Sequence, residues 1–386
     1  VLSGRGFKAG DAWTFTLAGG TADTPMPAQT SVTTTATSGN RQTLEFGTIK
    51  YKLKDVGKTY TYTITESGSG EGVTNDQNAS RTVTVTVAEG SDGKLAVTKT
   101  EPAGGVTFTN TYSAAGETEL KAEKQLVGRE FREGDKWTFT VTCDTQGAPL
   151  PEHPVITTGA TSGNSETLDF GKINYTLADV GTYVYTITES GSVANVENDP
   201  VATRTVTVTV SDNGNGTLNV QKTEGANGLT FTNKYVEGET TLGVTKVLSG
   251  RGFKEGDAWT FTLAGGTVDT PMPAQTSVTT TATSGNSQSL TFGKIKYGLA
   301  DVGKTYTYMI TESGSREGVT NDPNNIRTVT VKVEKGSDGN LVVTKTEPTG
   351  GVSFTNTYSA AGETELKAEK RLTGREFQSG DEWTFT

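Results

Sequence analysis

The chain has 386 residues and a formal net charge of −10, enough for about three domains of ordinary size. Its acidic residues are scattered, which excludes a nucleic-acid or anionic-membrane binding face. Only 32% of residues are hydrophobic and Gly and Thr dominate the remainder; such a chain suits thin β-sandwiches with one buried face per sheet. The single cysteine, Cys143, allows no internal disulfide, and no apolar run reaches transmembrane length.

In chain order, "VLSGRGFKAGDAWTFTLAGG" at 1–20 returns as "VLSGRGFKEGDAWTFTLAGG" at 247–266, with diverged copies "QLVGREFREGDKWTFTV" at 125–141 and "RLTGREFQSGDEWTFT" at 371–386. "YTYTITES" at 60–67, "YVYTITES" at 183–190 and "YTYMITES" at 306–313 place Glu66, Glu189 and Glu312 each 123 residues apart. The runs "RTVTVTV" at 81–87, "SDGKLAVTKT" at 91–100 and "GVTFTN" at 105–110 read as consecutive antiparallel strands with an Asp92-Gly93 turn. Each "FTN" ends at Asn110, Asn233 or Asn356. Internal repetition is the dominant signal, and no amphipathic helix is evident. The predicted organisation is a β-sandwich unit over 1–113 lacking its first strand, units over 114–236 and 237–359, and the start of a fourth over 360–386. The abrupt ends read as those of a fragment. The fold class is all-β: tandem immunoglobulin-like sandwiches of seven to nine strands, arranged as a rod by the short links "SAAGET" at 113–118 and "VEGET" at 236–240.

Strand parity exposes an anomaly. Side chains alternate across a strand, so Leu120, Ala122, Lys124 and Leu126 share one face, as do Leu242, Val244 and Lys246. Leu229, Phe231 and Asn233 align likewise, and Tyr183, Tyr185 and Ile187 align with Glu189. Each complete unit thus turns one Lys, one Glu and one Asn inward. A buried ion pair contributes little net stability. Burial instead favours neutral forms, making the lysine a free amine and the glutamate an acid that donates to the Asn carbonyl. Attack of the amine on the amide carbon, with proton relay through Glu, would expel ammonia and leave a side-chain amide.

These motifs, "VTKVLSGRGF", "GDAWTFTL", "TYTYMITES", "RTVTVKV" and "FTNTY", resemble the isopeptide-linkage domain of Gram-positive major pilins (the T-antigen or FctA type), with a CnaB-like fold. The resemblance implies cross-links Lys124–Asn233 and Lys246–Asn356, aided by Glu189 and Glu312. Glu66 with Asn110, and Lys370, are unpaired halves. It implies a stalk of an extracellular, cell-wall-associated pilin or repetitive adhesin, whose chemistry runs once rather than as enzyme turnover. Its partners are neighbouring repeats, with head-to-tail joining of Lys370 to Asn110 beside Glu66 as a further expectation. The alternative is a module binding a host protein or glycan, which would call for an exposed aromatic cluster.

No cofactor or metal is expected. Cys143 continues the inward parity of Trp137, Phe139 and Val141 and reads as a buried, inert thiol. His153 is a lone loop histidine. "GSGEG" at 68–72 precedes no helix, and "SDNGNGTL" at 211–218 lacks calcium-loop spacing and reads as a hairpin turn. The acceptor triplets at Asn78, Asn174 and Asn215 carry little weight.

Overall fold

The computed structural model describes residues 1–91 and 93–386, and is built of strands with three short 3-10 turns. Asp92 of the expected Asp92-Gly93 turn lies outside the described residues. The chain divides into two compact units, one of residues 1–193 and 197–235 and the other of 194–196 and 236–386.

The second repeat has nine strands in two sheets. The five-stranded sheet runs Val155–Thr157, Thr138–Cys143, Gly181–Ser190, Thr203–Asp212, Leu218–Glu224; the four-stranded sheet runs Ser165–Thr176, Ala115–Val127, Thr230–Tyr235, Val196–Glu197. Thr-Val alternation gives each strand one apolar face, and Trp137, Phe139, Phe170, Tyr185, Ile187 and Phe231 fill the space between the sheets. The third repeat copies this plan, with its first strand Gly238–Ser249 again between Ser287–Tyr297 and Ser353–Tyr358.

One sequence expectation is corrected. The "FTN" strand does not continue the antiparallel order; it crosses to the other sheet and pairs parallel with the first strand of its own repeat. Alternation identifies which face of a strand is buried but is silent about its neighbour. This parallel pair brings the beginning and the end of each repeat side by side.

In the first repeat, Leu2–Ser3 pairs parallel with Asn110–Thr111. Residues 42–52, the counterpart of Ser165–Thr176, form no strand. Phe170 and Tyr175 are fully buried in the second repeat, whereas their counterparts Phe46 and Tyr51 are half-buried. A cavity of about 280 Å³ opens there, lined by Val1, Phe15, Leu44, Phe46 and Phe108 among others. Unpaired backbone in a sheet needs a ladder partner, and in the complete repeats that partner is the first strand.

Residues 360–386 contain no strand and are almost wholly exposed. Their Arg375–Asp381 pair and Phe377–Trp383 edge contact still form. The same turn is closed by Arg5–Asp11, Arg129–Asp135 and Arg251–Asp257, so this motif shapes itself from local contacts alone.

Candidate cross-linking site

Parallel pairing sets the site. Lys124 stands opposite Phe231 and Asn233 opposite Leu126. Lys124 and Asn233 are therefore two residues apart in register on one face of neighbouring strands, within reach of a long side chain. Glu189 comes from the facing sheet, paired there with Phe139. Lys246, Asn356 and Glu312 hold the same stations, with Lys246 opposite Phe354, Asn356 opposite Leu248 and Glu312 opposite Phe261. Lys124, Lys246, Asn233 and Asn356 are all 0% exposed.

The lysine Nζ lies 2.8 Å from Oε1 of Glu189 in the second repeat and 2.6 Å from Oε1 of Glu312 in the third. These contacts have ion-pair length without hydrogen-bond alignment: both Nζ atoms and both glutamate Oε2 atoms lack a hydrogen-bond partner. Burial pushes both lysine amines below the ordinary lysine value, and the adjacent glutamate opposes that shift. Each amine also faces an indole, 4.9 Å from Trp137 and 5.0 Å from Trp259. That apolar wall confines it to the side facing the carboxylate.

The amide is held at both ends. Asn233 Oδ1 accepts the backbone N–H of Asp199 at 2.8 Å, while its Nδ2 donates to Glu189 Oε1 at 2.9 Å and to Asn198 Oδ1 at 3.1 Å. In the third repeat Asn356 takes the N–H of Asp322 at 2.8 Å and donates to Glu312 at 3.4 Å and Asn321 at 2.9 Å. A backbone N–H can only donate, so it fixes which end of the amide is oxygen. This corrects one expectation: the glutamate meets the amide nitrogen, and a main-chain N–H serves the carbonyl. Polarisation of the carbonyl by a fixed donor is what a tetrahedral oxyanion needs, and a carboxyl beside the nitrogen is placed to bring a proton to the leaving group.

The loop carrying that N–H is itself anchored. Asp199 accepts the N–H of Thr232 and Val201 and pairs with Arg204 at 2.8 Å. Burial alone would raise its pKa, but these donors together hold it below the usual carboxylate range. The indole Nε1 of Trp137 donates to Asn198 Oδ1. Sequence reasoning missed Trp137, Asn198 and Asp199, although "ND" recurs at 75–76, 198–199 and 321–322 at the repeat spacing.

The first repeat brings Glu66 and Asn110 together at 3.0 Å, with Asn110 Oδ1 on the N–H of Asp76 at 2.7 Å. Glu66 Oε2 is buried without a partner, and burial raises its pKa against the hydrogen bond from Asn110. Leu2 occupies the place of Leu126 beside Asn110. Lys370 is exposed, its Nζ 5.1 Å from the Trp383 ring; it meets neither a glutamate nor an asparagine of the site.

Other expectations resolve simply. Cys143 is partly exposed rather than buried, because it ends its strand at the sheet margin opposite Tyr185. His153 is exposed and no metal-holding cluster occurs among the described residues. Residues 212–217 form a hairpin turn between strands Thr203–Asp212 and Leu218–Glu224. Among the described residues no helix is long and apolar enough to cross a membrane.

The model of the Spy0128-like isopeptide containing domain (FctA) matches residues 1–113, 120–236 and 242–359, and the chain belongs to that family. Among solved structures, the major pilin from Streptococcus pyogenes is similar at 19% identity and a TM-score of 0.23, covering 62% of this chain and 98% of its own. A second major pilin of that organism gives 16% identity and a TM-score of 0.24, covering 64% of this chain and 99% of its own. A C-terminal fragment of the pilus adhesin SpaC from Lactobacillus rhamnosus GG gives 13% and 0.21, covering 64% of this chain and 100% of its own. No curated protein matches the chain.

Proposed function

We propose that the chain is a shaft segment of a bacterial cell-surface fibre or adhesin stalk, in which each complete repeat closes one Lys–Asn isopeptide bond as it folds. Membership of an isopeptide-containing family supports this reading. The observation that carries it is a fully buried lysine amine within 2.8 Å of a glutamate that also holds an amide, found twice over. A fully buried ion pair is costly as an end state, because desolvation offsets most of its attraction. As a reactant it is useful, since desolvation frees the amine.

The neutral Lys124 Nζ attacks Asn233 Cγ, and the developing oxyanion rests on the Asp199 N–H. One amine proton passes through Glu189 to Nδ2, the Cγ–Nδ2 bond breaks, and ammonia leaves. A Cγ–Nζ amide remains and Glu189 is restored. Lys246, Asn356 and Glu312 repeat the sequence of steps. The lysine is consumed, so each site acts once and is no enzyme in the ordinary sense.

Because the bonded residues lie on the first and last strands, a pulling force would pass through the bond. The strands between would be shielded from extension, a gain suited to a disulfide-free protein on the cell surface. Tryptic digestion of the native chain tests this: branched peptides joining Lys124 to Asn233 and Lys246 to Asn356 are expected, and linear peptides carrying free Asn233 and Asn356 would refute it.

A further inference from the structure

Repeats one and two meet through a joint that the cross-linking chemistry does not use. Tyr112, in the last strand of the first repeat, is 2% exposed. Its ring lies against the Arg5 guanidinium at 4.8 Å, and Asp11 holds that arginine with two hydrogen bonds. The hydroxyl thus points along a fixed line to the neighbouring repeat. It donates to Asp212 Oδ1 at 2.6 Å and accepts the Gly216 N–H at 3.1 Å. Burial first, and the Asp212 carboxylate next, push its pKa above the ordinary tyrosine value, so it stays a donor at neutral pH.

The hairpin at 212–217 closes on this hydroxyl from several sides. Gly214 N–H donates to the same Asp212 oxygen, and the Gly214 carbonyl accepts Lys8 Nζ at 2.7 Å. Ala115 of the link donates to the Gly216 carbonyl at 3.3 Å, and Ser113 to the Gly72 carbonyl at 3.0 Å. Gly72 and Gly216 meet so closely that a Cβ on Gly72 would stand 2.5 Å from the Gly216 Cα. Both have positive φ, +71° and +92°, which a side chain would strain in any case.

The second junction lacks these residues. The counterpart of Gly72 is Asn195, a residue with a side chain where the first junction needs none. The counterpart of Asp212 is Lys335, whose side-chain ammonium donates hydrogen bonds and does not accept them as a carboxylate does. Its link, Val236–Thr240, is one residue shorter than Ser113–Thr118. The socket residues do recur in the third repeat, as Arg251, Gly318 and Tyr358.

We infer that Tyr112 and Gly72 form a socket specific for the Asp-Asn-Gly-Asn-Gly hairpin of the second repeat, which locks that repeat onto the first as a pair and fixes their order. The inference is independent of isopeptide formation.

Hydrogen exchange of the full chain by mass spectrometry, read on peptides covering 113–116 and 213–217, tests it. Tyr112→Phe keeps the ring on Arg5 and removes only the hydroxyl. Exchange in both peptides should accelerate roughly fivefold or more, on the scale of one charge-assisted hydrogen bond discounted for exposure. Asp212→Lys, which installs the third repeat's residue, should do the same. Strands 138–143 and 203–210 should keep their protection, which shows that the repeats remain folded. Tyr235→Phe should leave peptide 236–240 unchanged. Unaltered exchange in both Tyr112→Phe and Asp212→Lys would overturn the joint, and equal acceleration from Tyr235→Phe would overturn its selectivity.

Discussion

The first and second repeats carry the same acid and amide, but only the second sets a lysine against them. Glu66–Asn110 and Glu189–Asn233 measure 3.0 and 2.9 Å, and both amide oxygens rest on a main-chain N–H at 2.7 and 2.8 Å. The acceptor half of the site is therefore alike in the two repeats, built from the last strand, the glutamate strand and the "ND" loop. What the lysine strand adds is closure: Ser165–Thr176 gains its ladder, and Phe170 and Tyr175 their full burial. The bond requires an amine brought onto an amide already oriented for attack.

The largest effect is expected from Glu189→Ala. The second bond should be lost, with Lys124 left buried and unpaired, while the Lys246–Asn356 bond forms as before. Residues 124 to 233 span 233 − 124 = 109 positions, and closing a loop of about that length is worth on the order of 4–5 kcal/mol by analogy with disulfides. Calorimetry should show the second repeat melting separately by at least that amount. A bond forming at its normal rate would remove Glu189 from the mechanism.

Asn198→Ala should act on rate rather than yield. It removes one holder of the Asn233 nitrogen and the acceptor of the Trp137 indole. Refolding followed by mass should give cross-linking roughly ten- to a hundredfold slower, the usual consequence of a misplaced reactant. Unchanged kinetics would reduce Asn198 to a loop anchor.

Asn233→Ala makes the second repeat resemble the first by a different route, keeping Lys124 and Glu189 but blocking the bond. Burial lowers the Lys124 pKa in the folded state, so the unfolded chain binds more protons between that value and the ordinary lysine value. Stability of this variant should then rise with pH across that window and fall as pH drops through it. Denaturant midpoints between neutral pH and about pH 10 read the effect; a flat profile would mean the lysine stays charged when buried.

The smallest expectation concerns Lys370. Docked on another copy, it could meet Asn110 beside Glu66 and join chains head to tail. Denaturing gels of the chain purified alone at high concentration should then show a ladder that Lys370→Ala abolishes; a single band would dismiss this joining.

Much of this was legible in the sequence, for identifiable reasons. Period-two alternation put Lys124, Glu189 and Asn233 on inner faces, because a buried charge in an apolar run stands out in any strand. The 123-residue spacing of the motifs identified the repeats. Parity could not disclose that the last strand runs parallel to the first, since it is blind to neighbours. It also misjudged Cys143, because the alternation persists in sequence past the point where the sheet still covers it. The donor to the amide oxygen was invisible for a deeper reason: every residue but proline has a backbone N–H, so nothing in the identity of Asp199 announces it. Asn198 could have been found from its recurrence, but an asparagine before an aspartate reads as a turn.

Closure of both bonds replaces two amines and two carboxamides with two amides. Intact mass of the fully denatured chain tests it most directly. The expected mass is below that of the sequence by two molecules of ammonia, falling to one in Glu189→Ala; a native chain of full sequence mass would mean that neither bond forms.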